Sequence, residues 1–537
     1  MQNKNTALVA HFSVMLGDAY LPESIVQALH SIVVETSLHK PDVATLTLHD
    51  PELELFDEDH FKLGQSLKVY AQANLAQAES MLIFDGEIIA LEPRFSVATH
   101  HLVVRAYDRL HRLARGSYAR SFQNIGHAEL VERLAKEAGL KADYAGPRQV
   151  QPYVMQHNET NLAFLQRHLA GLGCLMYVQG KTLHVKPMQQ TLADSVTVAL
   201  HWGDSLREFN PHICTLAQVN EGLARGWDPI QHKAIVGRAG KPSGAPDVAA
   251  SRDGFDDVAA ACLVVAPPIR TQAEADQLAQ AAVNQRTERF IVADGVADGH
   301  PAIKAGARLD IANVGRRLSG HYLVTSATHT YNARSNYVTC FSISGGQAND
   351  LFSLLQPQAA ASPIPASPLV IGIVSDNQDP QNLGRVKVTY PWLSPDHASD
   401  WARVVSVGAG KQRGIQFLPC VGDEVLVGFE LGDLRFPYVL GGLFNGQDHP
   451  PQKNSEAAQN GKVKRNLIRD GAGNLIELHD EGGLTLRDKT GNMLHLDSKS
   501  KQVVIEAKGD LALKASGNVS IEAQGQVTIK GTQIKLN

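Results

Sequence analysis

Residues 502–529 read QVVIEAKGDLALKASGNVSIEAQGQVTI, and this stretch decides the fold of the C-terminal part of the chain. On alternate positions stand Val503 and Ile505, then Ala507 and Gly509; Leu511 and Leu513, then Ala515 and Gly517; Val519 and Ile521, then Ala523 and Gly525; and last Val527 and Ile529. Between them the residues are mostly polar, among them Glu506, Lys508, Asp510, Lys514, Asn518, Glu522 and Thr528. A period of two places one set of side chains on one face of a strand. The superimposed period of eight makes that strand a short unit repeated in register. One such chain has an apolar stripe and an unpaired edge, with nothing of its own to cover either. The pattern therefore predicts an oligomer with a mechanical role. A monomeric β-solenoid would need coils of about twenty residues, far longer than this repeat.

At 537 residues the chain is too long for one core, and three or four domains are expected. Glycine is abundant, at 45 residues, and aromatics are sparse, which favours turns and β structure over a helical bundle. From Ile476 onward eight acidic residues balance eight basic ones, so no charge excess steers the chain to nucleic acid or an anionic membrane. The basic run Lys462, Lys464 and Arg465 reads as a solvated neck. Five cysteines, Cys174, Cys214, Cys262, Cys340 and Cys420, lack CxxC spacing and read as reduced thiols of a cytosolic assembly. Residues 1–5 lead into no apolar signal region, and no window approaches eighteen apolar residues. Synthesis in the cytoplasm without a signal peptide is the expectation.

Up to about residue 350, short alternating strands are expected at 43–49, 81–91 and 101–107, with three helical interruptions. The first helix, 128–138, aligns Leu130, Val131, Leu134 and Ala138, and Gly139 stops it. The second, 160–172, aligns Leu162, Leu165 and Leu169. A capping box, Thr271-x-x-Glu274, starts the third, whose core face is expected to be Leu278, Ala281 and Ala282. The Pro/Ala/Ser stretch 356–368 (QPQAAASPIPASP) reads as a linker. After it, strands at 369–375, 384–390, 401–407, 423–429 and 437–440 suit a small OB-like barrel. Residues 445–470 are polar, and strands eight to ten residues apart then begin at Ile476/Leu478, Leu484/Leu486 and Leu494/Leu496.

Several of these segments resemble the VgrG and phage baseplate spike family. The OB part does so through 385–392 (RVKVTYPW), 401–404 (WARV), 417–427 (FLPCVGDEVLV) and 441–445 (GGLFN). The hub part does so through 105–113 (RAYDRLHRL), 158–172 with Leu183-His184-Val185, and Gly320-His321-Tyr322-Leu323-Val324 with His329. The resemblance covers essentially the whole chain in order. It implies a mainly β protein with a two-barrel hub carrying a few helices (1–355), a linker (356–368), an OB-fold domain (369–446), a neck (447–475) and a β-helix needle (476–537). It also implies a homotrimer whose hub meets a hexameric inner tube protein, with baseplate proteins, a PAAR-like tip protein and effector cargo as further partners. In that needle, Val503, Ile505, Leu511, Leu513, Val519, Ile521, Val527 and Ile529 would fill the axial core. Gly509, Gly517 and Gly525 would let the backbone bend at the corners, and Ile534, Lys535, Leu536 and Asn537 would dock the tip.

A chain that stops at its needle looks closest to the spikes of extracellular, antifeeding-prophage-like contractile injection systems. Such a spike would be assembled into the particle and released outside the cell or delivered on firing. About twenty-five residues between the OB part and the first needle strand leave no room for the muramidase domain of some phage spikes, and no fused effector follows Asn537. The tail lacks a terminal His-x-His for an apical iron, and His479 and His495 read as isolated surface residues.

HExxH, GxSxG and Walker A patterns are absent. The segment 408–411 followed by Gln412 reads as an OB loop, and Asp376, Asp379 and Asn382 around Pro380 read as a turn rather than a calcium site. His100 and His101 would point to opposite faces of a strand. No catalytic, cofactor-binding or metal-binding residues are expected, and the reading is a structural spike rather than an enzyme. Two rival readings are a trimeric glycan-binding adhesin and a cell-wall-degrading baseplate enzyme.

Overall fold

Alternation builds the first strands as the sequence suggests. In Val43–His49 the side chains of Ala44, Leu46 and Leu48 are fully buried while their neighbours face outward. The expected strands at 81–91 and 101–107 run as Met81–Phe95 and His100–Asp108. The computed structural model describes residues 11–535 except 39, 73–79, 98, 188–189, 192–194, 241, 243–246, 249–259, 266–267, 333–335, 345–368 and 392–393. The linker expected at 356–368 thus lies outside the described residues. The chain is mainly β and divides into two units, Met1–Gly442 and Leu443–Asn537.

The first unit is organised by an eleven-stranded sheet. Its order is Leu206–Ile213, Ile291–Asp298, Asn336–Ile343, Ser326–Asn332, Leu29–Ser37, Val43–His49, His100–Asp108, Met81–Phe95, Ser66–Gln72, His11–Leu16 and Ala19–Tyr20. Two halves of the sequence meet in it where Ser326–Asn332 pairs antiparallel with Leu29–Ser37. Each half has its own core, one around Leu46, Leu67 and Val104 and the other around Leu309, Ile311 and Phe341. These two halves, sharing one sheet, are called the hub below.

The first insertion leaves the hub at the RAYDRLHRL stretch, and the side chains there show why those residues are needed. The Asp108 carboxylate accepts from the Leu110 amide (3.0 Å) and caps a 3-10 turn, Arg109–Ala114. Arg109, nearly fully buried, donates to the Asp85 carboxylate (3.0 Å) and to the Gly180 carbonyl (3.0 Å), while Arg112 pairs with Glu87. Leu110 and Leu113 enter the insertion's core, with helices α1 (His127–Glu137) and α2 (Asn161–Ala170). Leu130, Val131 and Leu134 of α1 are fully buried, as the stripe predicts. For α2 the Thr160 hydroxyl accepts from the Ala163 amide and starts the helix.

This junction gives the hub a pH dependence. Burial pushes the Asp108 carboxyl up to about 7, and burial together with Asp108 raises Asp42 well above the usual carboxylate range. A carboxyl raised in the folded state holds extra protons when folded, so its contribution is present at low pH and is lost as pH rises through about 7. Burial lowers His168 and His329 to about 3, so the unfolded chain takes up more protons below the usual histidine range and acid opposes the fold. The melting temperature of the hub should therefore fall as pH rises to and through about 7, and level off above it. Asp108→Asn keeps an acceptor for the Leu110 amide and should flatten that fall, read by circular dichroism melts between about pH 5 and 8.

The second insertion is a three-stranded sheet, Lys233–Ala239, Glu221–Asp228 and Ala261–Val264, under helix α3 (Gln272–Thr287). Thr271 and Glu274 cap α3 as expected, although Glu274 accepts from the Arg270 amide, one residue before the cap. The expected core face was Leu278, Ala281 and Ala282. The buried face is instead Ala275, Ala279, Val283 and Thr287, with Leu278 only partly buried. The reason lies on the sheet. A Cβ on Gly237 would stand 2.2 Å from the Ala275 carbonyl carbon, and one on Gly222 would stand 2.6 Å from the Ala279 oxygen. Glycines let the helix backbone press on the sheet at Ala275 and Ala279, and that close approach turns their face inward.

The OB part closes five strands, Val370–Asp376, Glu424–Phe429, Pro437–Gly442, Ala402–Val404 and Arg385–Tyr390, with a further strand, Ser394–Ala398, on the last. Asp379 organises the turn read around Pro380. Its carboxylate takes two bonds from the Arg385 guanidinium and others from the Gln381 and Leu383 amides. The Arg385 bonds hold this carboxyl well below the usual range. Tyr153 and Met155, from the first insertion, complete the OB core beside Val386, Val425 and Val439.

Candidate functional site

In the second unit five strands of five residues form an antiparallel meander: β1 (Arg465–Arg469), β2 (Leu475–His479), β3 (Gly483–Arg487), β4 (Met493–Asp497) and β5 (Gln502–Glu506). Strand β1 lies in the stretch read from sequence as neck. The register aligns Ile468, Ile476, Leu486, Leu494 and Ile505 in one row and Leu478, Leu484, Leu496 and Val503 in the next. Both rows are on one face, and they face solvent: Leu478 is 50% exposed, Val503 62% and Ile505 60%. The opposite face carries Glu477, Thr485 and His495. Thr485 is buried and its hydroxyl bonds His495 Nδ1 (2.9 Å), while His479 Nε2 lies 3.6 Å from Glu477. Neither histidine is isolated, contrary to the sequence reading, because the pleat brings a polar row across three strands.

Sequence reasoning also missed the device that sets the register. Two turns repeat Asp-x-x-Gly-Asn, at 470–474 and 488–492. In each, the Asp carboxylate accepts from the Asn backbone and side-chain amides, at 2.8 and 2.7 Å for Asp470 and 2.9 and 2.7 Å for Asp488. The glycines are Gly473 and Gly491, at φ +99° and +95°. Bonds from Thr490 and Asn492 pull the Asp488 carboxyl down to about 2. Asn492 Oδ1 in turn accepts from the Lys508 amide (2.8 Å), which ties the start of the octads to the meander. The eighteen-residue spacing of the two Asp-x-x-Gly-Asn turns was the available signal.

Val503 and Ile505 lie on β5. Beyond it, no strand pairing joins residues 507–535 to the rest of their own chain among the described residues, and Leu511, Leu513, Val519, Ile521, Val527 and Ile529 are 50–70% exposed. At Gly509, Gly517 and Gly525 the backbone is outside the left-handed region and a Cβ would meet nothing within 4 Å, so one chain alone gives no reason for glycine there. Ile534 and Lys535 are exposed, whereas Leu536 and Asn537 lie outside the described residues. A second apolar surface belongs to the OB part. Its expected strand at 401–407 ends at Val404, and Val405, Val407, Ile415, Phe417, Leu418 and Val421 are exposed. Among the described residues, no group of three His, Cys, Asp or Glu side chains is arranged to hold a metal ion, and no helix is long and apolar enough to cross a membrane.

Comparison with known proteins meets this geometry at several points. Residues 370–444 match the type VI secretion system/phage-baseplate injector OB domain, and residues 6–333 match the Alg8 N-terminal domain. The type VI secretion system spike protein VgrG3 of Vibrio cholerae serotype O1 is 26% identical over 381 residues, 64% of this chain and 35% of that protein. The spike protein VgrG5 of Pseudomonas aeruginosa is 32% identical over 120 residues, 21% of this chain and 15% of its own. The chain thus spans about a third or less of the length of these curated relatives. A chain of the lidded Francisella PdpA–VgrG complex shares the fold, with a TM-score of 0.56 at 10% identity, covering 94% of this chain and 81% of that one. The protein is a VgrG-like baseplate spike homologue, and it belongs to the Alg8 N-terminal domain family.

Proposed function

We propose that three copies of this chain form the hub and needle of a contractile injection machine. The observation that carries this reading is the stripe Val503, Ile505, Leu511, Leu513, Val519, Ile521, Val527 and Ile529, each half or more exposed in one chain. Every such side chain contributes roughly 1.5–3 kcal/mol when fully buried, and winding three stripes about one axis buries all of them. The meander's exposed face and the OB surface at 405–421 close against neighbouring copies in the same assembly. Close approach of those copies supplies the reason for glycine at 509, 517 and 525.

In this reading the hub, 1–355, docks on a hexameric inner tube protein and on the baseplate. The OB domain, 369–446, forms a collar, and the neck, 447–475, leads to the needle, 476–537. Ile534, Lys535, Leu536 and Asn537 receive a PAAR-like tip protein, and effector cargo travels with the spike. Puncture of the target envelope is driven by the sheath, so the spike itself performs no catalysis. The chain is made in the cytoplasm and reaches the outside within an antifeeding-prophage-like particle.

Native mass spectrometry at micromolar concentration should give the mass of three chains. A monomer there would sink the proposal.

A further inference from the structure

The meander and the octads share one five-residue pattern, with glycine in fourth place. It stands at 470–474 (DGAGN), 488–492 (DKTGN), 506–510 (EAKGD), 514–518 (KASGN) and 522–526 (EAQGQ). The apolar step across each is also the same. Eight residues separate Ile468 from Ile476 and Leu486 from Leu494, as they separate Ile505 from Leu513 and Leu513 from Ile521. Yet the chain behaves differently. Ile468 is the register partner of Ile476 and Leu486 that of Leu494, so the first two windows turn the chain back on itself. Beyond the start of the third window no strand pairing joins the chain to itself among the described residues.

The first residue of the window separates the two cases. In both hairpins it is Asp. The Asp470 and Asp488 amides donate to the Asn474 and Asn492 carbonyls (3.1 Å each), and the Gly473 and Gly491 amides donate back to the Asp carbonyls (3.2 Å each). The Asp carboxylate then draws in both amides of the Asn and fastens the turn. A short side chain suits this local closure. Glu506 and Glu522 carry their carboxylates one methylene farther out, and a Lys514 ammonium has donors only. Glu506 pairs with Lys508 instead, and Glu522 accepts from the Ser520 hydroxyl (3.4 Å). Gly509, Gly517 and Gly525 leave the left-handed region that Gly473 and Gly491 occupy.

The apolar pattern of the octads does not itself forbid a fold-back. A hairpin closed at 514–518 would set Leu513 opposite Val519 and Leu511 opposite Ile521, with all four side chains on one face. We infer that the residue three places before each glycine selects the pairing partner: Asp returns the chain along itself, whereas Glu or Lys sends it on to a neighbouring copy. The meander is thereby finished within one chain, and the strands after Glu506 stay open until other copies arrive. The identity of that partner rests on the three-chain reading above; the choice of turn does not.

The test is Lys514→Asp in the full-length chain, which completes the Asp-x-x-Gly-Asn pattern because Asn518 is already in place. Ala512→Cys and Ser520→Cys serve as reporters, since the hairpin sets these positions directly opposite, with Cβ atoms about 4.5–5.5 Å apart. Lys514→Glu is the control for charge. On mild oxidation, the 512–520 disulfide within one chain should form in about tenfold or greater yield in Lys514→Asp than in the parent or Lys514→Glu, the factor one charge-assisted bond supplies. Peptide mass mapping reads the linkage, and all three proteins carry both reporter cysteines. Equal yields in Lys514→Asp and Lys514→Glu would overturn the inference. So would a Lys514→Asp chain that cross-links only to other chains or not at all. Native mass of the parent keeps the two readings apart: a monomer there removes the three-chain reading, and the disulfide still decides the turn.

Discussion

Ile521→Asp is expected to abolish a heat-resistant trimer and leave separate, soluble chains. In one chain Ile521 is 69% exposed, so the change costs that chain almost nothing and its hub should melt as before. Around a shared axis the same change places three carboxylates together in an apolar core. Each buried, unpaired charge costs several kcal/mol even after relaxation, and like charges add to it. The loss of three isoleucines adds roughly 1.5–3 kcal/mol apiece. Ile521→Val should keep the trimer. Native mass and gel mobility without boiling read the outcome directly, and an Ile521→Asp trimer as resistant as the parent would refute the axial placement.

Gly237→Val should strongly destabilise the second insertion. The added Cβ would meet the carbonyl carbon and oxygen of Ala275 at 2.2 and 2.3 Å, and both are backbone atoms of α3 that no rotamer change can move. The helix must lift from its sheet, which uncovers Ala275, Ala279 and Val283 together. Overpacking alone costs about 1–3 kcal/mol, and a displaced helix raises the total above about 3 kcal/mol. Urea denaturation should show the early loss of a helical signal. Gly240→Ala is the matched control, since a Cβ there meets nothing within 4 Å, and it should change stability by less than about 0.5 kcal/mol.

How much of this was legible in the residues differs by element. Strands such as Val43–His49 and helices such as α1 were legible because alternation or a 3.6-residue stripe coincides with burial in a core the chain supplies itself. The α3 face was misread because periodicity ranks faces by hydrophobicity, whereas the sheet's glycines select for small size. At the candidate site the apolar octads were legible, and so was the lack of any cover for them within one chain. The role of the glycines was not: their demand cannot come from one chain, since nothing in it approaches them.

Tyr153 and Met155 have a mechanical consequence. The OB barrel is joined covalently to the hub through 345–368, yet its core is finished by two side chains from a strand that precedes it by more than two hundred residues. Load applied along the OB barrel therefore passes into the hub through packed side chains, in compression, and need not travel along the connecting backbone.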